Sequence, residues 1–488
     1  MPSFLARRGV ANLTLAIVCV AQFMVILDVS IVNLALPSMQ SDLHFTTSGL
    51  QWVLNAYTLT FAGFLLLGGR MADLYGRRRL FLIGILVFSL TSLLGGLAQS
   101  GAQLITARAF QGVGGAMLSP ATLTILTTTF TEPKARMRAL GMWSAVAGAG
   151  GATGVIAGGL LTDLLSWRWI LFINVPIGVL TALAARAVLA ESKLEGQRPT
   201  LDYAGAFSIT AGLSSLVYGI VSTDSHSWGS AIVLGPIVAG VLLIAAFVGV
   251  EARHRHPLAP LRLFRSRSLV GANVIMIGLG SIMFGIFFFL SQYAQDVLGY
   301  SPLRAGFAFL PMPLSIILGT QISSRVVGRF GVRTMLVVGS AIGGVGLFWL
   351  AHLGVHSDYL THLCLPGIVT AYGMGTTLVP VTMGATSGVA PQDAGLASGL
   401  INTTRQIGGS VGLAVLATVA TSRFHHVVVS EGAKAAQTAG ANLALLSMSG
   451  VAAVVIVLTL LTLPRRVRPP APTREVREQE TLTVFESA

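Results

Sequence analysis

The chain has 488 residues, 53% hydrophobic and only 10% charged, with a net charge of +13 and a mean hydropathy of +0.77. Soluble domains carry about a quarter charged residues, so this composition excludes a soluble enzyme and describes a polytopic membrane protein. Nor does the basic excess point to nucleic acid, because the arginines and lysines fall in short links between apolar runs, where positive-inside insertion and anionic lipid account for them.

Fourteen apolar stretches are long enough to cross a hydrocarbon core about 30 Å thick as helices. They lie near 13–37, 48–69, 80–98, 103–128, 137–161, 168–188, 202–221, 230–249, 269–293, 302–323, 332–351, 361–384, 395–420 and 443–463. The first follows Arg7 and Arg8 but has no small-residue cleavage site leading into a soluble domain, so it reads as a true span. Basic residues mark one side of the membrane: Arg70 to Arg79, Lys134, Arg136, Arg138, Arg186, Lys193, Arg198, and the link from Arg253 to Arg267. Asp42, Asp163, Asp224, Asp296 and Asp358 mark the other, where Arg168, Arg304, Arg423 and Lys434 are exceptions. That asymmetry predicts an even number of spans with both termini cytoplasmic. The Pro- and Glu-rich tail, 465–488, is expected to be a disordered cytoplasmic extension. Cys19 and Cys364 sit within apolar runs, which argues against a disulfide or a cysteine metal site.

Between the second and third spans lies GGRMADLYGRRRLF, Gly68 to Phe81. Two glycines, Gly69 and Gly76, flank Asp73 among Arg70, Arg77 and Arg78, which reads as a turn of particular geometry. The link after the tenth span echoes it without gaps: Arg70, Tyr75, Gly76 and Arg78 align with Arg325, Phe330, Gly331 and Arg333, while Gly328 replaces Asp73. GVGGAMLSP from Gly112 resembles GMGTTLVP from Gly373, and GGATG from Gly150 resembles GGSVG from Gly408. All three echoes are offset by about half the chain. They predict paired bundles of the kind used for alternating access: 1–198 and 268–464, six helices each, with an inserted hairpin at 199–252 and a link at 253–267.

Charges inside a span ask for a reason. Asp28 is the carboxylate deep within a span; it reads either as a hydrogen-bonded packing residue, with Asn33, or as a cavity acid that exchanges a proton for a cation. Arg108, with Gln111 one turn deeper, either snorkels to the interface or belongs to a polar network serving proton coupling. Arg405, accompanied by Asn402, is open between a structural role near the cytoplasmic end and a functional one. The small-residue face of the fifth span permits close packing or sliding. Phe23, Met24, Trp52, Tyr57, Tyr372 and Met374 are candidates for an apolar cavity lining. No Walker, HExxH or nucleophile-elbow motif appears, so neither ATP nor a catalytic domain is expected. RHRHP at Arg253 lies in a basic link and is not taken as a metal site; no metal or cofactor is expected.

These residues resemble the major facilitator superfamily, specifically its fourteen-span drug/proton antiporters. The resemblance implies an all-α membrane protein with the major facilitator fold: two pseudo-symmetric six-helix bundles and an inserted hairpin. Gly69, Arg70, Asp73, Gly76, Arg77 and Arg78 are similar to the signature loop thought to lock the outward-facing state. LDVSIVNLALP carries Asp28 as the first-span acid, and Arg108, Gln111, Gly112 and Gly114 fit the fourth-span proton-transfer motif. Gly150, Gly154, Gly158 and Gly159 fit the fifth-span antiporter motif, although Val155 stands where a proline is usual, and Ser166 to Pro176 approximates SWRWIFxINxP. The resemblance implies a secondary transporter of a bacterial inner membrane whose partners are drugs, protons and lipid; the oligomeric state, a monomer among the options, is left open. Monovalent lipophilic cations are the first expectation for substrate, with zwitterionic or neutral drugs as alternatives. A metabolite or lipid transporter of the same fold, and a non-transporting scaffold or receptor, are the alternatives.

Overall fold

The computed structural model describes residues 2–463 apart from 193–200, 224, 255–256, 388 and 390–392. The expected disordered tail at 465–488 lies outside the described residues, as do Lys193, Arg198 and Asp224. The helices in chain order are α1 Pro2–Leu43, α2 Thr47–Leu50, α3 Trp52–Tyr75, α4 Arg77–Gly96, α5 Gly101–Thr129 and α6 Pro133–Leu164. They continue with α7 Trp169–Phe172, α8 Asn174–Val188, α9 Tyr203–Ser222, α10 Ala231–Arg253, α11 Arg267–Gln292 and α12 Pro302–Phe309. The last are α13 Pro311–Phe330, α14 Val332–Leu350, α15 Leu365–Thr386, α16 Ala394–Glu431 and α17 Ala433–Thr462. No strand occurs among the described residues.

Thirteen of these helical segments are long and apolar enough to cross a membrane. The fifth expected span coincides with α6, which is not among those thirteen. The hydropathy limits fall short of several helix ends: α1 continues to Leu43 and α16 to Glu431. A helix stays hydrogen-bonded after it leaves the apolar layer, so hydropathy marks the membrane and not the helix. The expected tenth span is interrupted at Leu310, where Pro311 and Pro313 remove backbone donors. Side-chain caps set several starts: Ser100 before α5, Asp202 before α9 and Ser301 before α12 each accept from a backbone N–H three residues on.

The packing recurs along the chain. In the first six spans α1 packs on α6, α3 and α4 on α5, and α4 on α8. In the last six α11 packs on α16, α13 and α14 on α15, and α14 on α17. Between them α9 and α10 pack on each other, and α9 rests on α3 and α16.

The apolar core is divided unevenly. On the side where α3 turns into α4, one cluster from Leu15 to Leu189 serves the early helices, and a separate one from Leu263 to Leu463 serves the late ones. On the opposite side a single cluster runs from Ile31 and Met39 to Phe288, Phe309 and Ala452. Hydrogen bonds cross there as well: Ser291 Oγ donates to Asn33 O at 2.7 Å and Gln295 Nε2 to Leu34 O at 3.0 Å. Early and late helices thus share one core cluster on the side away from the Gly76 turn and have separate clusters towards it, where α3 and α16 remain in contact.

Candidate functional site

Helix α5 can carry a deep arginine because its glycines let neighbouring backbones come close. A Cβ on Gly112 would lie 2.3 Å from Tyr57 O of α3, and one on Gly114 would lie 2.7 Å from Phe88 N of α4. This approach sets Arg108 and Gln111 against α1 and α3.

There they meet Asp28. Arg108 Nη1 donates to Asp28 Oδ2 at 2.6 Å and to Gln111 Oε1 at 2.8 Å, and Arg108 Nε donates to Val53 O at 3.2 Å. Asp28 Oδ1 accepts from Gln111 Nε2 at 2.8 Å and from Asn174 Nδ2 at 2.9 Å. Asn174 also donates to Ser92 Oγ at 3.0 Å, and Ser92 donates to Leu171 O at 2.8 Å. The Arg108 guanidinium lies over the Tyr57 ring, 4.4 Å from its centroid. Asp28 is 0% exposed and Arg108 1%. Two opposite charges are thus desolvated together, with further donors on the carboxylate, as a stable buried pair requires. Five helices, α1, α3, α4, α5 and α8, contribute side chains to this network.

Sequence reasoning brought Asp28, Arg108 and Gln111 forward and missed Asn174 as a site residue. Asn174 lies within the Ser166 to Pro176 stretch, where the signal was present without a partner to interpret it.

The other expected residues divide among several places. Tyr57 belongs to the network just described. Phe23 and Asn33 are half-buried on α1, Met24 is fully buried there, and Asn33 Nδ2 donates to Val29 O at 3.1 Å. Trp52 packs on Tyr218 of α9, 6.5 Å between centroids. Met374 lines a small apolar cavity with Leu279, Met283, Ile316, Thr377 and Leu378, and Tyr372 is half-buried on the same helix. Asn402 is exposed and Arg405 half-buried on α16.

The α6 glycines face α1 and α12. A Cβ on Gly150 would meet Phe23 O at 3.2 Å, one on Gly154 would meet Ser30 Cβ at 2.6 Å, and one on Gly158 would meet Ile31 O at 2.7 Å. Gly159 turns to the other neighbour, 2.6 Å from Pro302 O. Any side chain larger than hydrogen would push these helices apart.

At the loop, Gly76 has φ +115°, which suits glycine. Asp73 pairs with Arg77 at 2.9 Å. Arg78 N and Arg79 N donate to the Glu191 carboxylate, each at 3.2 Å, so an acid covers the start of α4. Arg78 Nη2 donates to Arg186 O at 2.7 Å. Arg70 is half-buried and Gly69 lies near Pro120. Among the described residues no group of three or more His, Cys, Asp or Glu could hold a metal ion.

The profile described as Major Facilitator Superfamily matches residues 18–201 and 203–413. The chain is 45% identical to the cephamycin export protein of Amycolatopsis lactamdurans, over 85% of this chain and 86% of that one. It is 42% identical to the puromycin resistance protein of Streptomyces alboniger, over 87% and 84% respectively. Its fold is similar to the crystal structure of a bacterial homologue of the human lysosomal transporter Spinster, with a TM-score of 0.69 at 16% identity, covering 95% of this chain and 99% of that one.

Proposed function

The chain belongs to the major facilitator superfamily, as a multi-pass secondary transporter of its multidrug- and antibiotic-resistance type in a bacterial inner membrane, and from that premise we propose that it exports drug-like antibiotics in exchange for protons by alternating access. The observation that carries the reading is the buried Asp28–Arg108 pair. With Asp28 ionised the pair is neutral as a unit and held by Gln111 and Asn174. Protonating Asp28 leaves Arg108 as an uncompensated charge at membrane depth, a cost that new packing must relieve.

Helix α1 links that event to the far-side seal. Asn33 and Leu34, the carbonyl acceptors for Ser291 and Gln295, follow Asp28 on the same helix. A shift of α1 therefore loosens or tightens those bonds, and the close-packed α6 glycines provide the sliding surface. The recurring helix pairings support two six-helix bundles with α9 and α10 as an inserted hairpin. With the Gly76 turn on the cytoplasmic side, the sealed face is extracytoplasmic and the described form faces inward. Direct drug contact at Asp28 gains no support from a carboxylate that is 0% exposed and fully hydrogen-bonded; its proposed role is the proton site. A single chain contains the whole proposed path.

The test is transport in proteoliposomes under an imposed pH gradient, with radiolabelled puromycin and a cephamycin as substrates. Wild type should accumulate at least one of them in a gradient-dependent way. Asp28→Asn, folded by size-exclusion profile, should lose about tenfold or more of that dependence, in keeping with coupling energies of about 1–3 kcal/mol. Transport of neither compound, or gradient-driven transport unchanged by Asp28→Asn, would refute the proposal.

A further inference from the structure

The charges inside the membrane do not balance. Asp28 and Arg108 cancel one another, fully buried. Arg405 lies three turns into α16, about 16 Å from its start at 1.5 Å per residue. Its side chain has no hydrogen-bond, ion-pair or ring partner among the described residues, and it is only half-buried. An arginine at the centre of a spanning helix costs about 2.5–3.5 kcal/mol on insertion scales, and less towards an end; no acid among the described residues offsets the cost at Arg405.

The neighbours of α16 show where this charge faces. Thr404 Oγ1 donates to Asn273 Oδ1 of α11 at 2.7 Å, and a Cβ on Gly408 would lie 2.4 Å from Ile277 O, so these positions mark the α11 face. Ser410 meets Thr58 of α3, and a Cβ on Gly399 would touch Leu66 at 3.0 Å. Thr418 Oγ1 donates to Ile220 O of α9 at 3.3 Å, and Ile407 and Val411 join the same apolar cluster as α9. At about 100° per residue, Arg405 and Asn402 fall between the α11 and α3 faces, on the flank away from α9. Asn402 is exposed there, and its Nδ2 is already engaged with Ser398 O at 3.1 Å. On this flank Arg405 also keeps part of its surface accessible.

We infer that Arg405 is the binding site for a carboxylate on the transported molecule, with amphipathic anions and zwitterions as the preferred substrate class. The inference rests on the transport reading above and departs from the expectation of lipophilic cations. A guanidinium offers a planar fork of donors that a carboxylate matches two at a time, and it is weakly hydrated enough to release its water. The carboxylate supplies a countercharge that the described residues do not, whereas an ammonium substrate would meet repulsion from Arg405, since the Asp28 carboxylate is already paired with Arg108.

Equilibrium binding of three matched fluorophores tests this: 1-pyrenebutyrate, its neutral amide and the corresponding butylammonium. The protein is the full chain in phosphatidylcholine nanodiscs, which keeps anionic headgroups from competing. Wild type should bind the butyrate about tenfold more tightly than the amide, the order of one charged hydrogen-bonded contact, and the ammonium most weakly. Arg405→Gln should bring the butyrate to the affinity of the amide while amide affinity stays within about twofold, which also shows that the cavity has folded. Arg405→Lys should keep part of the preference. Equal binding of butyrate and amide by wild type, no butyrate binding, or an equal loss of all three probes in Arg405→Gln would overturn the assignment. Such a result alongside intact gradient-driven transport would remove the anion site alone; a preserved charge preference without gradient-driven transport would remove the exchange reading alone.

Discussion

The turn at Gly76, between α3 and α4, and the turn at Gly331, between α13 and α14, have closely similar backbones and unlike charges. Both glycines have positive φ, +115° and +84°. Arg78 Nη2 donates to Arg186 O near the end of α8, and Arg333 Nη2 donates to Leu460 O near the end of α17, both at 2.7 Å. Each turn thus reverses the chain and ties down the last helix of its set. Only the first carries Asp73 paired with Arg77 and Glu191 over the following helix start; Gly328 and Val332 occupy the matching places in the second. The shared features are those that helix packing demands, and the unshared acids are available for switching. The interior repeats the lesson: the early helices hold a matched pair at Asp28 and Arg108, and the late helices hold Arg405 without a partner among the described residues.

The largest effect expected from breaking this contrast is on stability. Arg108→Met strands a carboxylate that is 0% exposed and should cost about 3–5 kcal/mol in denaturant unfolding. Asp28→Leu combined with Arg108→Met should recover most of that loss while leaving transport uncoupled. Arg405→Met orphans nothing and should change stability by no more than about 0.5 kcal/mol. Similar losses for Arg108→Met and Arg405→Met would mean that Arg405 has a structural partner after all.

The contrast was only partly legible in the sequence. Asp28 and Arg108 stood out because a charge in an apolar run is expensive wherever it sits, and the paired turns stood out because glycine and arginine spacing survives in both copies. The pairing of Asp28 with Asn174 was hidden: an amide near a span edge carries no such cost, and their sequence separation of 146 is bridged only by folding. The unpaired state of Arg405 was hidden for the same reason, since a missing partner is a tertiary fact. Aromatic residues were the least informative. Tyr57 and Trp52 read alike as cavity candidates, yet one covers Arg108 and the other packs on the hairpin.

A smaller effect separates the two turns by backbone alone. Alanine at either glycine meets a backbone conformation that side chains rarely adopt, at a cost of about 1–3 kcal/mol. Gly76→Ala should be the more costly, because its Cβ would lie 2.5 Å from Glu191 Oε1. Glu191→Ala should then relieve Gly76→Ala and leave Gly331→Ala untouched. Thermal unfolding of the four variants would check this, and an equal cost at both turns would deny Glu191 its place over α4.

The smallest stability effect carries the sharpest functional question. Asp73 is 28% exposed and its pair with Arg77 is an i,i+4 contact, so Asp73→Asn should cost only about 0.3–0.5 kcal/mol. Transport should nevertheless fall by about tenfold or more, if the acid stabilises the opposite state of the exchange cycle by the 1–3 kcal/mol typical of such coupling. The two readouts separate because the Asp73 contact seen here is with Arg77 on its own turn, so a larger role would be exerted in a different state of the cycle. Loss of transport at nearly full stability would place its work in the state sealed on the loop side. Wild-type transport by Asp73→Asn would reduce the charged turn to the same structural duty that Gly331 and Arg333 perform without an acid.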